Sequence, residues 1–260
     1  MKYYVVADVH GYYTALKKAL DQQGFFDDVA PHKLVICGDL FDRGSEACAL
    51  QNFIVELLNK GEVIIIRGNH EDLAIEFVRN IRKWMTPAIM GTHHWNNGTV
   101  DTVLQLTGME LMNAYQNPDE CAALMDTTPF FSRIIPNMVD YFETDNYIFV
   151  HGWIPCNAIG YGGKPITFEY MKDWRTADAV DWNLARWYNG MDAANKGVIE
   201  KGKTIVCGHW HCSYGHSKIL GKGSEFDADA DFSPYYNKGI IAIDACTAKT
   251  LKVNCIVIED

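Results

Sequence analysis

No apolar stretch in the 260-residue sequence approaches the length of a membrane span, so no membrane partner is expected. The Met1 end lacks the charged-then-apolar pattern of an export signal; Lys2 leads at once into a short strand-like run, Tyr3–Ala7. The eight cysteines include no Cys-x-x-Cys pair, which argues against a structural zinc site of the usual spacing. Reduced thiols in the cytoplasm are the expectation. Positive charge is also short, with 23 Lys and Arg against 33 Asp and Glu and a formal net charge of −10. A general nucleic-acid binder needs a basic face to displace counterions, so no stable nucleic-acid partner is expected. Repeats and low-complexity tracts are missing, and a 48% hydrophobic, 22% charged composition excludes disorder and coiled coil.

What is present is a set of short apolar runs, each ending in a polar cluster. Tyr3–Ala7 ends at Asp8, Leu34–Cys37 at Gly38-Asp39, and Val63–Ile66 at Arg67-Gly68-Asn69-His70. Tyr147–Val150 ends at His151-Gly152, and Thr204–Cys207 at Gly208-His209. Runs of four to six rich in Val, Ile and aromatics read as buried strands. Helical spacing follows over Thr14–Leu20 and Ala47–Leu58, with Gly61 as a stop. Strand, polar loop, helix is the pattern of a layered α/β sheet, whose ligand sites lie at the carboxyl ends of strands. Runs at Gly239–Ile243 and Leu251–Ile258 are expected to pair as a hairpin.

The polar residues at these ends are Asp8, His10, Asp39, Asn69, His151, His209 and His211. Carboxylate, imidazole and amide together suit manganese, iron or zinc better than calcium. Seven side chains are too many for one metal that keeps a position open for water. They suit two divalent metals about 3.5–4 Å apart that share a carboxylate. Such a pair supplies the positive charge that a small phosphorylated substrate needs in an acidic chain.

Asp8-Val9-His10-Gly11, Gly38–Gly44 (GDLFDRG), Arg67–Glu71 (RGNHE), His151-Gly152 and Gly208–His211 (GHWH) resemble, in order, the motifs of the calcineurin-like metallophosphoesterase superfamily. The arginines in the second and third motifs are similar to its phosphoprotein phosphatase branch, bacterial type. The resemblance implies an α/β (α+β) four-layer sandwich: two mixed β-sheets flanked by helices. It implies that Asp8, His10 and His211 hold a first metal, that Asp39 bridges, and that Asn69, His151 and His209 hold a second. His70 would be the general acid, with Asp42 fixing its tautomer; Arg43 and Arg67 would grip phosphate oxygens. The implied reaction is hydrolysis of phosphate monoesters by metal-bound hydroxide, as in a Ser/Thr protein phosphatase, on a phosphorylated protein or a small phosphate compound. The alternatives are a symmetrical diadenosine tetraphosphate hydrolase and an inactive binding module. Manganese is the first expectation for both ions, with iron or zinc as alternatives.

One metallophosphoesterase domain over residues 1–260 is expected, with a helical insertion or cap at 79–135. Ala7 stands where the family has glycine, and Trp153 follows His151-Gly152, where it would narrow a pocket or stack on a ring. By residue type alone Asp42 also suits a helix cap, and His70 a structural role. His93 and His94 are neighbours, which diverge on a helix, so a shared metal is not expected there. Nothing local distinguishes Arg175 and Arg186 from surface arginines. Asp227, Asp229 and Asp231 lack the glycine and distal glutamate of a calcium loop and read as a solvated acidic loop.

Overall fold

Side chains alternate across a strand, so a strand buried on both faces reads as a continuous apolar run. Tyr3, Val5 and Ala7 enter one core and Tyr4 and Val6 another. The same split separates Val35 and Cys37 from Leu34 and Ile36. The computed structural model, which describes residues 1–161 and 164–260, builds its layers from that two-sidedness.

In chain order the strands are β1 (Lys2–Val6), β2 (His32–Cys37), β3 (Val63–Ile66), β4 (Met138–Val139), β5 (Phe142–Glu143), β6 (Tyr147–Phe149), β7 (Cys156–Tyr161), β8 (Lys164–Tyr170), β9 (Thr204–Cys207), β10 (Tyr235–Asn237), β11 (Ile240–Ala242) and β12 (Ile256–Glu259). The first sheet has the order β12-β1-β2-β3-β4, parallel except for β12. The second has the order β10-β11-β9-β6-β5, with parallel inner strands and antiparallel outer ones. β7 and β8 form a separate hairpin. Both sheets are mixed, and Val5, Val35, Ile66, Phe149, Val206 and Ile243 fill the space between them.

Helices cover the two outer faces. α1 (Tyr13–Gln22), α2 (Ala47–Lys60) and α3 (Asn69–Arg79) turn Leu16, Leu20, Leu50, Ile54 and Phe77 onto the first sheet. These residues recur at helical spacing, which gives each helix one apolar stripe. α4 (Ile81–Trp84), α5 (His93–Asn97), α6 (Thr99–Thr107), α7 (Leu111–Gln116) and α8 (Pro118–Thr127) extend the same core through Ile81, Val100, Val103, Ala114, Cys121 and Met125. Met85 and Met109 are buried in it, whereas Met90 and Met112 are exposed. On the second sheet, α9 (Ala179–Ala185) and α10 (Gly190–Asn195) bring in Trp182, Ala185, Met191 and Ala193. No helix among the described residues is long and apolar enough to cross a membrane.

Two expectations change. The runs at Gly239–Ile243 and Leu251–Ile258 do not pair with each other: β11 lies between β9 and β10, while β12 pairs with β1 in the other sheet. The intervening chain bends through Cys246 (φ 53°) and Leu251 (φ 55°), and Thr247 Oγ1 donates to the Asp8 carbonyl at 2.7 Å. That segment crosses between the sheets at the site end of the molecule. Trp153 is buried in the core. It is 1% exposed, packs in the second outer core, and donates from Nε1 to the Val198 carbonyl at 3.0 Å. Trp153→Ala should therefore lower the unfolding free energy by about 3–5 kcal/mol, read from the denaturant midpoint. A midpoint equal to that of the unaltered protein would contradict a core role.

Candidate metal centre

Asp8 lies two residues beyond β1, Asp39 two beyond β2, His151 two beyond β6 and His209 two beyond β9; Asn69 opens α3 just after β3. Parallel strands ending on one side bring these loops together. The loops are bent sharply: among the described residues, six of the eight non-glycine positions with positive φ are Asp8, His10, Asp39, Asp42, Arg43 and His209. Each such conformation costs roughly 1–3 kcal/mol and persists only where the surroundings over-determine it. Here the bonds are Asp8 N–H to Gly38 O (3.2 Å), His10 N–H to Asp39 O (3.0 Å), and His209 N–H to both Asp8 carboxylate oxygens (3.0 and 2.9 Å). At Gly68 a Cβ would sit 2.1 Å from Asp39 Oδ1, so only glycine allows that carboxylate in.

Three imidazoles share one arrangement. His10 Nδ1 donates to the Phe41 carbonyl (3.0 Å) and His151 Nδ1 to the Cys37 carbonyl (2.8 Å); His209 bonds the backbone of Trp187. Burial pushes all three rings below the ordinary histidine range: His10 well below, His209 to about 3, and His151 in the same direction. A neutral ring whose proton goes to a carbonyl presents the lone pair of its other nitrogen, the state that a metal ligand requires. His151 Nε2 stands 2.8 Å from Asn69 Oδ1 and 3.3 Å from Asp39 Oδ1, and His10 Nε2 3.8 Å from Asp39 Oδ2. At His151 electron pairs converge with no proton left to separate them, which is the electrostatic requirement for a cation.

Carboxylates repeat that requirement. Burial, then Asp244 and Asp39, raises Asp8 well above the ordinary range; burial lifts Asp244 to about 6. Burial acts against ionised Asp39, while His151, His70 and His10 around it would, when protonated, hold it below the ordinary value. Glu71, pushed up to about 7 by burial and Asp39, accepts from Gly68 N–H (2.7 Å), Leu40 N–H (2.9 Å) and Asp39 N–H (3.2 Å), and so positions the Asp39 loop. Around Asp39, two groups could each hold an ion, with one atom per residue mutually within 4.8 Å: His10, Asp39 and His70, and Asp39, His151 and His209. Both contain Asp39. The donor set thus fits a pair of divalent metals.

His70 behaves differently from the other rings. Nδ1 donates to Asp42 Oδ2 at 2.8 Å, and Asp42 Oδ2 also accepts from Thr99 Oγ1 at 2.8 Å. Burial lowers its pKa, but Asp39 and the Asp42 hydrogen bond outweigh that and raise it. Environments that drive neighbouring groups apart in pKa separate proton carriers from ligands. Arg43, exposed, donates from Nη2 towards His70 Nε2 at 3.3 Å. Arg67 pairs with Asp72 Oδ1 at 2.5 Å.

His211 stands apart from the others. Its Nε2 lies 3.0 Å from Glu225 Oε1 and its ring packs on Phe226; like Asp8, it belongs to neither of the two groups around Asp39. Arg186 is no surface arginine: it is 7% exposed, bonds Asp72 Oδ2 at 2.8 Å and pairs with Asp140. It is also near enough to His151 to depress that ring further. Arg175 pairs with Glu143 and Glu200. The sequence reading assigned no role to Asp244, Glu71 or Arg186; Glu71 carried a signal as the last residue of the Arg67–Glu71 motif, and Asp244 as a carboxylate just beyond a strand run.

The sequence model of the family described as Calcineurin-like phosphoesterase matches residues 1–213. Serine/threonine-protein phosphatase 2 of Escherichia coli (strain K12) is 37% identical over 73 residues, 28% of this chain and 31% of that protein. Bis(5'-nucleosyl)-tetraphosphatase PrpE [asymmetrical] of Halalkalibacterium halodurans is 22% identical over 180 residues, 66% of each chain. The chain thus matches less than two thirds of the length of these curated relatives. Among solved structures, a cold-active protein-tyrosine phosphatase of a psychrophilic Shewanella species superposes with a TM-score of 0.55 at 14% identity, covering 100% of this chain and 75% of that one; this likeness shows the fold.

Because Asp39 belongs to both groups, Asp39→Asn should lose bound divalent metal and hydrolytic activity together, measured by elemental analysis of dialysed protein and by turnover. A metal-replete variant of normal activity would contradict a shared ligand.

Proposed function

The chain belongs to the calcineurin-like phosphoesterase family and is a hydrolase of phosphate esters, and from that premise we propose that it cleaves phosphate monoesters as a Ser/Thr protein phosphatase-like enzyme. The observation that carries the reading is the buried Asp39 carboxylate common to two ligand-capable groups, one of which includes His70, the histidine that Asp42 holds through Nδ1. The family typically binds two divalent metals. We assign the first to Asp8, His10 and Asp39 and the second to Asp39, Asn69, His151 and His209. His211 joins the first only by leaving Glu225, whereas Asp244 already faces Asp8. Manganese is our choice for both positions, since mixed nitrogen and oxygen ligands accept it and the ring and carboxylate types also suit iron or zinc.

When bound, two such cations supply Lewis acidity at phosphoryl oxygens and lower the pKa of a water toward neutrality. The protein's own groups do the rest. Arg43 and Arg67 hold phosphoryl oxygens in the planar, two-pronged geometry of guanidinium. Arg43 sits on His70 Nε2 until a phosphate anion draws it away, which frees that nitrogen to carry a proton. Asp42 fixes the ring through Nδ1, so Nε2 is the atom that delivers the proton to the leaving oxygen. The eight cysteines, free in the structure, and the net charge of −10 support a cytoplasmic setting with no nucleic-acid partner.

Dinucleoside tetraphosphate hydrolysis is the second reading, supported by the PrpE likeness over 180 residues. That relative's name specifies asymmetrical cleavage, whereas the alternative drawn from the sequence resemblance is the symmetrical reaction. The inactive-module reading has little support, because no proposed ligand is missing.

His70→Asn should cut kcat by about 100- to 10,000-fold with metal content intact. Loss of metal in that variant would make His70 a ligand and overturn its role as acid. The substrate is tested by restoring Mn²⁺ to metal-free protein with a phosphoserine peptide or diadenosine tetraphosphate. Phosphate release from the peptide alone is the expected result. Chromatographic appearance of two nucleoside diphosphates, or of a triphosphate and a monophosphate, without peptide turnover would reject the protein phosphatase reading.

A further inference from the structure

Glu76 on α3 and His93 and His94 at the start of α5 meet outside the Asp39 centre. One ligand-capable atom of each lies within 4.8 Å of the others. Thr92 caps α5 by accepting Trp95 N–H at 3.3 Å, which makes the two histidines its first residues. The Trp84 indole packs against both rings, 5.0 and 4.7 Å between centroids, and the rings themselves are 4.0 Å apart. Neighbours that a regular helix would splay are thus gathered by Trp84 at a helix end.

The carboxylate is held as metal-binding carboxylates are. Glu76 Oε1 accepts from Trp84 Nε1 (3.1 Å) and Asn80 Nδ2 (3.2 Å), which leaves Oε2 for the imidazoles, 2.6 Å from His94 Nε2. His94 is fully buried, and its Nδ1 is buried without a hydrogen-bond partner among the described residues. His93 is exposed and Glu76 half-exposed, which gives an ion a path from solvent.

We propose that Glu76, His93 and His94 bind a zinc-class divalent cation, separate from the Asp39 centre. Two imidazoles and one carboxylate are a zinc ligand set that leaves a position for water. The ion would tie α5 to α3. α5 ends at Gly98, where φ is +85° and a Cβ would lie 2.2 Å from the Arg43 backbone nitrogen; the next residue, Thr99, donates to Asp42. A cation on the first turn of α5 therefore steadies the turn against which Asp42 and Arg43 rest.

The test is equilibrium dialysis of metal-free protein against Zn²⁺, with the whole chain and its His93→Ala, Glu76→Gln, Trp84→Phe and Asp39→Asn variants. His93→Ala, a change at an exposed ring, should bind one equivalent fewer than the unaltered protein, and Glu76→Gln should match it. Asp39→Asn should retain that equivalent, and Co²⁺ placed there should give visible absorption that disappears in Asp39→Asn/His93→Ala. Trp84→Phe should weaken this equivalent by about 10- to 100-fold. Equal zinc binding by the unaltered protein and His93→Ala would overturn the site and leave a hydrogen-bonded pair. Loss of the same equivalent in Asp39→Asn would overturn it by assigning the ion to the Asp39 centre, whatever the enzyme's substrate proves to be.

Discussion

A carboxylate buried between two sheets neutralises itself unless positive charge or hydrogen bonding compensates it, and Asp39 stands at that point in this protein. It is 2% exposed, with His10, His70, His151 and His209 around it and Asp8 and Asp244 adding like charge nearby. The imidazoles give their protons outward, to the Phe41 and Cys37 carbonyls and the Trp187 backbone, so their lone pairs face inward. His10, His151 and His209, unlike His70, are thus disposed for a cation beside Asp39. Glu71 extends the same logic one step back, binding two backbone amides of the loop that carries Asp39 and one, Gly68, of the loop that carries Asn69.

The left-handed residues are the mechanical side of that demand. Straight strand ends would carry Asp8, Asp39 and His209 past one another; bending each loop through positive φ turns the side chains back into one volume. Hydrogen bonds between loops from different strands hold the bends, so strain at one loop is borne by its neighbour. The helices of residues 81–127 enter this scheme through Thr99 and Thr102, which bond Asp42 from α6.

Much of this is readable in the chain. The runs before Asp8, Asp39, Asn69, His151 and His209 are strands, and the layered α/β architecture follows from their two-sided apolar pattern. What local pattern does not encode is which distant element a run meets. Gly239–Ile243 and Leu251–Ile258 looked like partners because they are adjacent and apolar, yet each joins a different sheet. Arg186 looked like a surface arginine because Asp72 and Asp140, its partners, lie 114 and 46 residues away. His93 and His94 looked divergent because helical geometry was assumed through residues that sit at a helix start, under Trp84. Trp153 looked like a pocket residue because it follows His151, but the chain turns into the core within two positions.

The bond from Thr247 to the Asp8 carbonyl joins residues 239 positions apart. Asp8 is also gripped by the amide of His209, 201 positions away. The first loop of the centre can therefore take its final shape only after the last crossover between sheets has formed. Loop closure over such separations slows folding, because chain entropy is spent before the contacts return it. The protein should thus acquire its metal-binding capacity late on its folding route, as the chain's two ends lock together, rather than templating its fold around an early-captured ion.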